Sequence, residues 1–208
     1  MVVPARHIRA NEESVVREPL PLDDGERELL LDLARTALRV AARAERAELL
    51  SEMMQRARLL PLWRRRAGCF VTLFEGEALR GCMGIVDPSM RLPEAVVEAT
   101  FAAALDDPRF WPVEPSENQR IRFDVSVIGP FVPVDDASLV CLGVDGVAVD
   151  IDGRRALLLP EVAAEHGLDV PALWRAVCKK AGASDDEWLR PNAHLLLFRT
   201  IRFGACAA

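Results

Sequence analysis

The heptapeptide Leu79-Arg80-Gly81-Cys82-Met83-Gly84-Ile85 sets a cysteine between two glycines, with an arginine two residues before it. In an extended strand, residues two apart share a face. An extended motif would therefore point Arg80 and Cys82 the same way. A guanidinium beside a thiol favours the thiolate, the form that acts as a nucleophile. Gly81 and Gly84 remove side chains on both flanks, which allows a bulge or the approach of a backbone or ligand. The alternative reading is a cysteine buried in a tight hairpin, with the glycines serving backbone geometry and Arg80 in an ordinary ion pair.

A second cluster lies downstream. Asp106, Asp107, Arg109 and Phe110 in "DDPRF" stand where a helix gives way to a loop. Arg109 could clamp an anionic substrate or partner, or pair with Asp106 and the helix's last carbonyls. The histidines that might serve as a base are His7, His166 and His194; none has a local cysteine–histidine signature, and there is no tyrosine. The only lysines are Lys179 and Lys180. The five cysteines (Cys69, Cys82, Cys141, Cys178 and Cys206) are scattered and form no CxxC pair. That spacing rejects a disulfide framework and a zinc knuckle. No cofactor or metal is indicated.

The elements that must position these residues can be read from periodicity. Residues 1–24 are polar, interrupted by Pro4, Pro19 and Pro21, and read as an N-terminal tail or loosely docked arm; the domain proper is expected over 25–204. From Asp23 the pattern turns helical and is expected to run until just before Pro61. Leu29, Leu33, Ala37 and Ala41 form its apolar stripe beside Leu30, Ala34 and Leu38. Phe70–Phe74 and the signature strand form a hairpin around Glu75-Gly76-Glu77. A helix opens at Leu92-Pro93 and stops at Asp107, the residue before Pro108.

"IRFDVSVIGP" alternates, with Ile121, Phe123, Val125 and Val127 inward. Asp152-Gly153 marks a two-residue hairpin turn, and Val144-Asp145-Gly146 another turn. Two helices follow, the second capped by Asp169, and "HLLLFRTIRF" reads as one central strand. Helices set between runs of hairpins predict an α+β fold with mainly antiparallel sheets flanked by helices. No GxGxxG or Walker sequence occurs.

The net charge of −6 argues against a duplex-wide nucleic-acid surface. A local basic patch exists in "RARLLPLWRRR", where Arg56, Arg58, Arg64, Arg65 and Arg66 surround Trp63. A solvated loop and an RNA-backbone contact are its two readings. No apolar run approaches membrane-spanning length and no cleavable leader is visible, so a cytoplasmic, reducing location is expected and no membrane partner.

With these pieces in order, the chain resembles the AMMECR-one domain family, called AmmeMemoRadiSam system protein A in many prokaryotes. The matching stretches are "GCFVTLFEGEALRGCMG", "AVVEATFAAALDDPRFWPV", "FDVSVIGP", "GVDGVAVDIDGRRALLLPEVAAEHG" and "CKKAG", followed by "DEW", in family order across roughly 27–203. Met83 stands where isoleucine is usual, Val144 where a basic residue is common, and Leu168 where tryptophan is common. The resemblance implies a two-lobed fold with the signature near the groove between lobes. It carries the family pattern onto Leu79, Arg80, Gly81, Cys82, Gly84, Asp107, Arg109 and Phe110. It also implies a three-component set whose other members are a Memo-like protein and a radical S-adenosylmethionine enzyme. On that basis Cys82 and Arg80 are the candidate catalytic pair, and Gly81, Gly84, Asp107, Arg109 and Phe110 the candidate substrate- or partner-binding residues. A non-catalytic binding subunit is the competing expectation.

Overall fold

The structure is a computed structural model that describes residues 18–43 and 45–204. His7, Cys206 and most of the expected N-terminal arm lie outside the described residues. The fold is α+β, and the chain divides into two compact units: Leu20–Ile128 resumed at Ile201, and Gly129–Thr200 with the described Glu18 and Pro19.

The larger unit opens on helix α1, Asp24–Ala41, which starts where Asp23 and Glu26 form a reciprocal capping box. Leu30, Leu33, Ala34, Ala37, Leu38 and Ala41 are buried along it. Leu22 is also buried and Leu20 packs on the same cluster, so the stretch read as a tail includes packed chain.

The single long helix expected up to Pro61 is two. Helix α2, Ala47–Ala57, follows after a turn in which Arg43 takes a left-handed conformation, φ 56°. Neither glycine nor proline marks that break. Its physical signature is an arginine held in a region of backbone space that glycine or asparagine usually occupies.

Strands β1 (Cys69–Glu75), β2 (Ala78–Ile85) and β3 (Ile121–Ile128) build a sheet in the order β2-β1-β3, with β1 antiparallel to both neighbours, and the last strand of the chain extends it beside β3. Cys69, Val71 and Leu73 of β1 and Ile121, Phe123, Val125 and Val127 of β3 face one core. Helix α3, Leu92–Leu105, covers it; its Leu92, Val96, Ala99 and Ala103 are all buried.

In the smaller unit, β4 (Val132–Val134), β5 (Gly146–Ile151), β6 (Arg154–Leu158) and β7 (Ala193–Phe198) pair antiparallel in the order β4-β7-β5-β6. Asp152 and Gly153, φ 53° and 81°, make the expected hairpin turn. The expected turn at Val144-Asp145-Gly146 lies slightly earlier: Asp145 is buried and Gly146 already begins β5.

Helix α4 (Glu161–Glu165) and helix α5 (Val170–Lys180, capped by Asp169) complete this unit. Trp174 of α5 is fully buried, and its indole N–H donates to the Ala137 carbonyl at 3.1 Å.

The last apolar run is not one strand. β7 ends at Phe198, and β8, Thr200–Gly204, belongs to the other sheet. Arg199 separates them and pairs with buried Asp145 at 3.0 Å. Among the described residues no helix is long and apolar enough to cross a membrane.

Candidate functional site

The hairpin β1–β2 contains one irregularity, and it governs the site. Glu75 pairs with Ala78 and Phe74 with Leu79, but Leu73 pairs with Gly81, leaving Arg80 as an extra residue in a β-bulge. A regular hairpin would set Cys82 opposite Val71, which faces the core. The bulge moves the register by one, so Cys82 lies opposite Thr72 instead. A one-residue shift flips every side chain to the other face of a strand. Cys82 is thereby turned away from the core and left partly exposed, while Gly81 takes the buried position opposite Leu73.

The Arg80 guanidinium is spent on Glu117, donating from Nε to Oε1 at 2.7 Å and from Nη2 to Oε2 at 3.1 Å. This fork raises the Arg80 pKa and lowers that of Glu117. Arg80 Nη1 is buried with no hydrogen-bond partner among the described residues.

The Arg109 guanidinium has Cys82 within its field. Its Nε and Nη2 grip both oxygens of Asp107 at 2.9 and 2.7 Å, and Nη2 also reaches the Cys82 carbonyl at 3.4 Å. Asp107 is buried, accepts the Cys82 main-chain N–H at 2.8 Å, and accepts the Arg109 N–H at 3.1 Å. The Arg109 guanidinium pulls the Asp107 pKa from 3.8 to about 2.

Because β2 is an edge strand, the groups of Cys82 that a further strand would pair are held by this Asp–Arg fork instead. Arg109 pairs with Asp107, not with Asp106 or the helix-end carbonyls. The loop is anchored by Val113, whose N–H donates to the Ala104 carbonyl at 2.8 Å.

Phe110 stands between the two arginines, with Arg80 Cζ 5.8 Å and Arg109 Cζ 5.5 Å from its ring centroid. Thr72 donates its hydroxyl to Cys82 Sγ at 3.4 Å.

The two glycines admit close approaches, that at Gly81 being the approach of another backbone allowed for in the sequence. A Cβ at Gly81 would collide with the Ala103 carbonyl oxygen of α3, and one at Gly84 would lie 2.5 Å from the Phe70 ring. Both glycines serve close packing.

Cys69 and Cys178 are buried, and burial raises both thiol pKa values; Cys141 is exposed. The unit holding Cys82 contains no histidine, since His166 and His194 belong to the other. No group of three or more potential metal ligands occurs among the described residues. In the arginine-rich segment, Arg65 pairs with Glu26 at 3.0 Å and Arg66 donates to the Ser89 carbonyl. The Trp63 ring lies between Arg58 and Arg91, each 5.3 Å from its centroid.

Thr72 and Glu117 are the participants that sequence reasoning missed. Thr72 reaches Cys82 only through the bulge, and Glu117 is remote in sequence from the arginine it holds.

The sequence model of the AMMECR1 family matches residues 31–203. A protein of Methanothermobacter thermautotrophicus is 37% identical over 187 residues, covering 87% of this chain and 94% of the relative. Protein TV1384 of Thermoplasma volcanium is 32% identical over 181 residues, covering 84% and 90%. The crystal structure of uncharacterized protein PH0010 from Pyrococcus horikoshii superimposes with a TM-score of 0.78 at 30% identity, covering 88% of this chain and 93% of that one. The chain belongs to the AMMECR1 family.

Proposed function

We propose that Cys82 is the nucleophile of a thiol-dependent site in the larger unit. The observation that carries this reading is the bulge at Arg80, which turns the sulfur off the core and onto the Thr72 hydroxyl, within the field of Arg109. A hydroxyl donor and a fixed guanidinium both favour the charged form of a thiol. Asp107 acts as a positioning residue, holding the guanidinium and the cysteine main chain in one frame. Arg80 takes a supporting role through Glu117 and Phe110 rather than acting on the sulfur.

The test is alkylation by iodoacetamide across pH, with each site read by peptide mass. Cys82 is expected to react well below the ordinary thiol range near 8.5 and faster than exposed Cys141. Arg109→Gln is expected to move the Cys82 profile toward the ordinary range. Equal profiles for Cys82 and Cys141 would remove the basis for chemistry at this position.

A second reading is a non-catalytic docking subunit, and one observation favours it: Trp111, next to Phe110, is 88% exposed. Exposed tryptophans beside arginines are typical anchors of protein interfaces. The family resemblance supplies the partners to try, a Memo-like protein and a radical S-adenosylmethionine enzyme. On this reading Cys82→Ser keeps co-purification with such a partner, whereas Trp111→Ala or Arg109→Ala abolishes it. Loss of binding in Cys82→Ser alone would contradict it.

A further inference from the structure

We propose that copies of this chain join head to tail, the basic face around Leu59 of one copy docking on the acidic face around Leu142 of the next. This contact is independent of the thiol site at Cys82.

Charge is segregated along the sequence. Residues 53–74 hold Arg56, Arg58, Arg64, Arg65 and Arg66 and no acidic residue. Residues 129–153 hold Asp135, Asp136, Asp145, Asp150 and Asp152 and no basic one. In the first segment Arg65 is spent on Glu26 and Arg66 on the Ser89 carbonyl. Arg56, Arg58 and Arg64 are exposed and form no ion pair among the described residues. Between them the chain leaves α2 and enters a 3-10 turn, Pro61–Arg64, whose Leu62 is buried. That anchor leaves Leu59, 85% exposed, and Leu60 facing water among the arginines.

The second face has the same construction with the opposite charge. Val140 is buried, and the Trp174 indole N–H holds the loop at the Ala137 carbonyl. Around that anchor Leu139, Leu142 and Val144 are exposed. Asp135 and Asp136 precede them in the chain, exposed and without an ion pair among the described residues. Asp136 accepts the Ser138 main-chain N–H at 2.8 Å, which fixes the start of the loop.

Exposed apolar side chains rimmed by charge mark interaction sites, and opposite fields on two faces set partner and register. Each face here supplies what the other lacks: the leucines leave water together, and Arg56, Arg58 and Arg64 meet Asp135 and Asp136. Neither face suits a copy of itself, since like charges would oppose. The contact is therefore heterologous, with each copy offering one face of each kind. RNA fits the basic face less well. Single-strand binders stack bases on open aromatic rings, whereas the Trp63 ring already has the Arg58 and Arg91 guanidinium groups 5.3 Å from its centroid. RNA or an anionic lipid surface would also leave the acidic face uncovered.

Sedimentation velocity on the full chain over a concentration series tests the assembly. The mean mass is expected to rise with concentration and to fall back in high salt, which screens the two faces. Leu59→Ser with Arg64→Ser disables the basic face, and Asp135→Asn with Leu142→Ser the acidic one. All four side chains are exposed, so neither pair of changes empties a core. Each double variant alone is expected to self-associate at least tenfold more weakly. Mixed in equal amounts, the two are expected to form a dimer as tightly as the wild type associates, and nothing larger, because each brings the face the other lacks. A single-copy mass at every concentration would overturn the proposal. So would self-association that neither variant weakens, or a mixture no heavier than its components. A single-copy mass together with co-sedimentation on poly(U) or on phosphatidylserine vesicles, lost in the Leu59 and Arg64 variant, would give the basic face to RNA or to a membrane instead.

Discussion

Asp107 is the residue through which structure and chemistry meet. One carboxylate, 4% exposed, binds the Cys82 main chain and both arms of Arg109. Its pKa is lowered from 3.8 to about 2, chiefly by the Arg109 hydrogen bonds. A carboxyl that is more acidic in the folded state favours folding above its unfolded pKa, and that contribution disappears as pH falls through the folded value. The folded protein should therefore lose stability between about pH 4 and about pH 2 through this group. Asp107→Asn should be less stable at neutral pH and should lack that part of the acid loss. Urea denaturation at several pH values measures both. A wild-type-like acid slope in the variant would mean that Asp107 does not hold the loop.

At the scale of elements, the β1–β2 hairpin and α3 act together. The extra residue at Arg80 makes Gly81 a core residue, and α3 then lies so close that only a missing side chain fits under the Ala103 carbonyl. Gly81→Ala pushes against backbone of a packed helix, which cannot swing aside. The expected cost is about 1–3 kcal/mol. Gly84→Ala meets the ring of partly exposed Phe70, which can rotate outward, so its cost should be smaller. Unfolding midpoints of the two variants give the comparison, and a Gly84→Ala variant weaker than Gly81→Ala would show that α3 yields more readily than Phe70. These two glycines also mark the limit of what was legible in the sequence. Hairpin, helix starts, caps and inward faces follow from periodicity and turn residues. The bulge does not, because "ALRGCMGI" carries the same residues in either register. Hence the nearness of Thr72 to Cys82 cannot be read from the sequence. The break at Arg43 and the change of sheet at Arg199 are equally hidden, because each falls at an arginine, a residue type that carries no turn signal of its own.

For the whole chain, the path matters more than any single contact. Gly129–Thr200 interrupts the larger unit between β3 and β8, so β8 joins β3 only after that entire segment has been made. The segment has a separate core in which Trp174, Val147, Ile151, Val177 and Leu197 are buried together. Its ends are already joined: the Gly129 N–H donates to the Arg199 carbonyl at 2.8 Å. Adjacent termini and a private core are the marks of a part that can be excised. A chain of this size buries a modest fraction of its surface, so its stability should be low but its transition cooperative. Residues 129–200 expressed alone should give dispersed amide resonances and a single melting step. Trp174→Ala should abolish them by emptying that core, a loss of about 3–5 kcal/mol. A collapsed spectrum for the intact segment would mean that its core forms only within the full chain, and that the division into two units does not reach the level of independent folding.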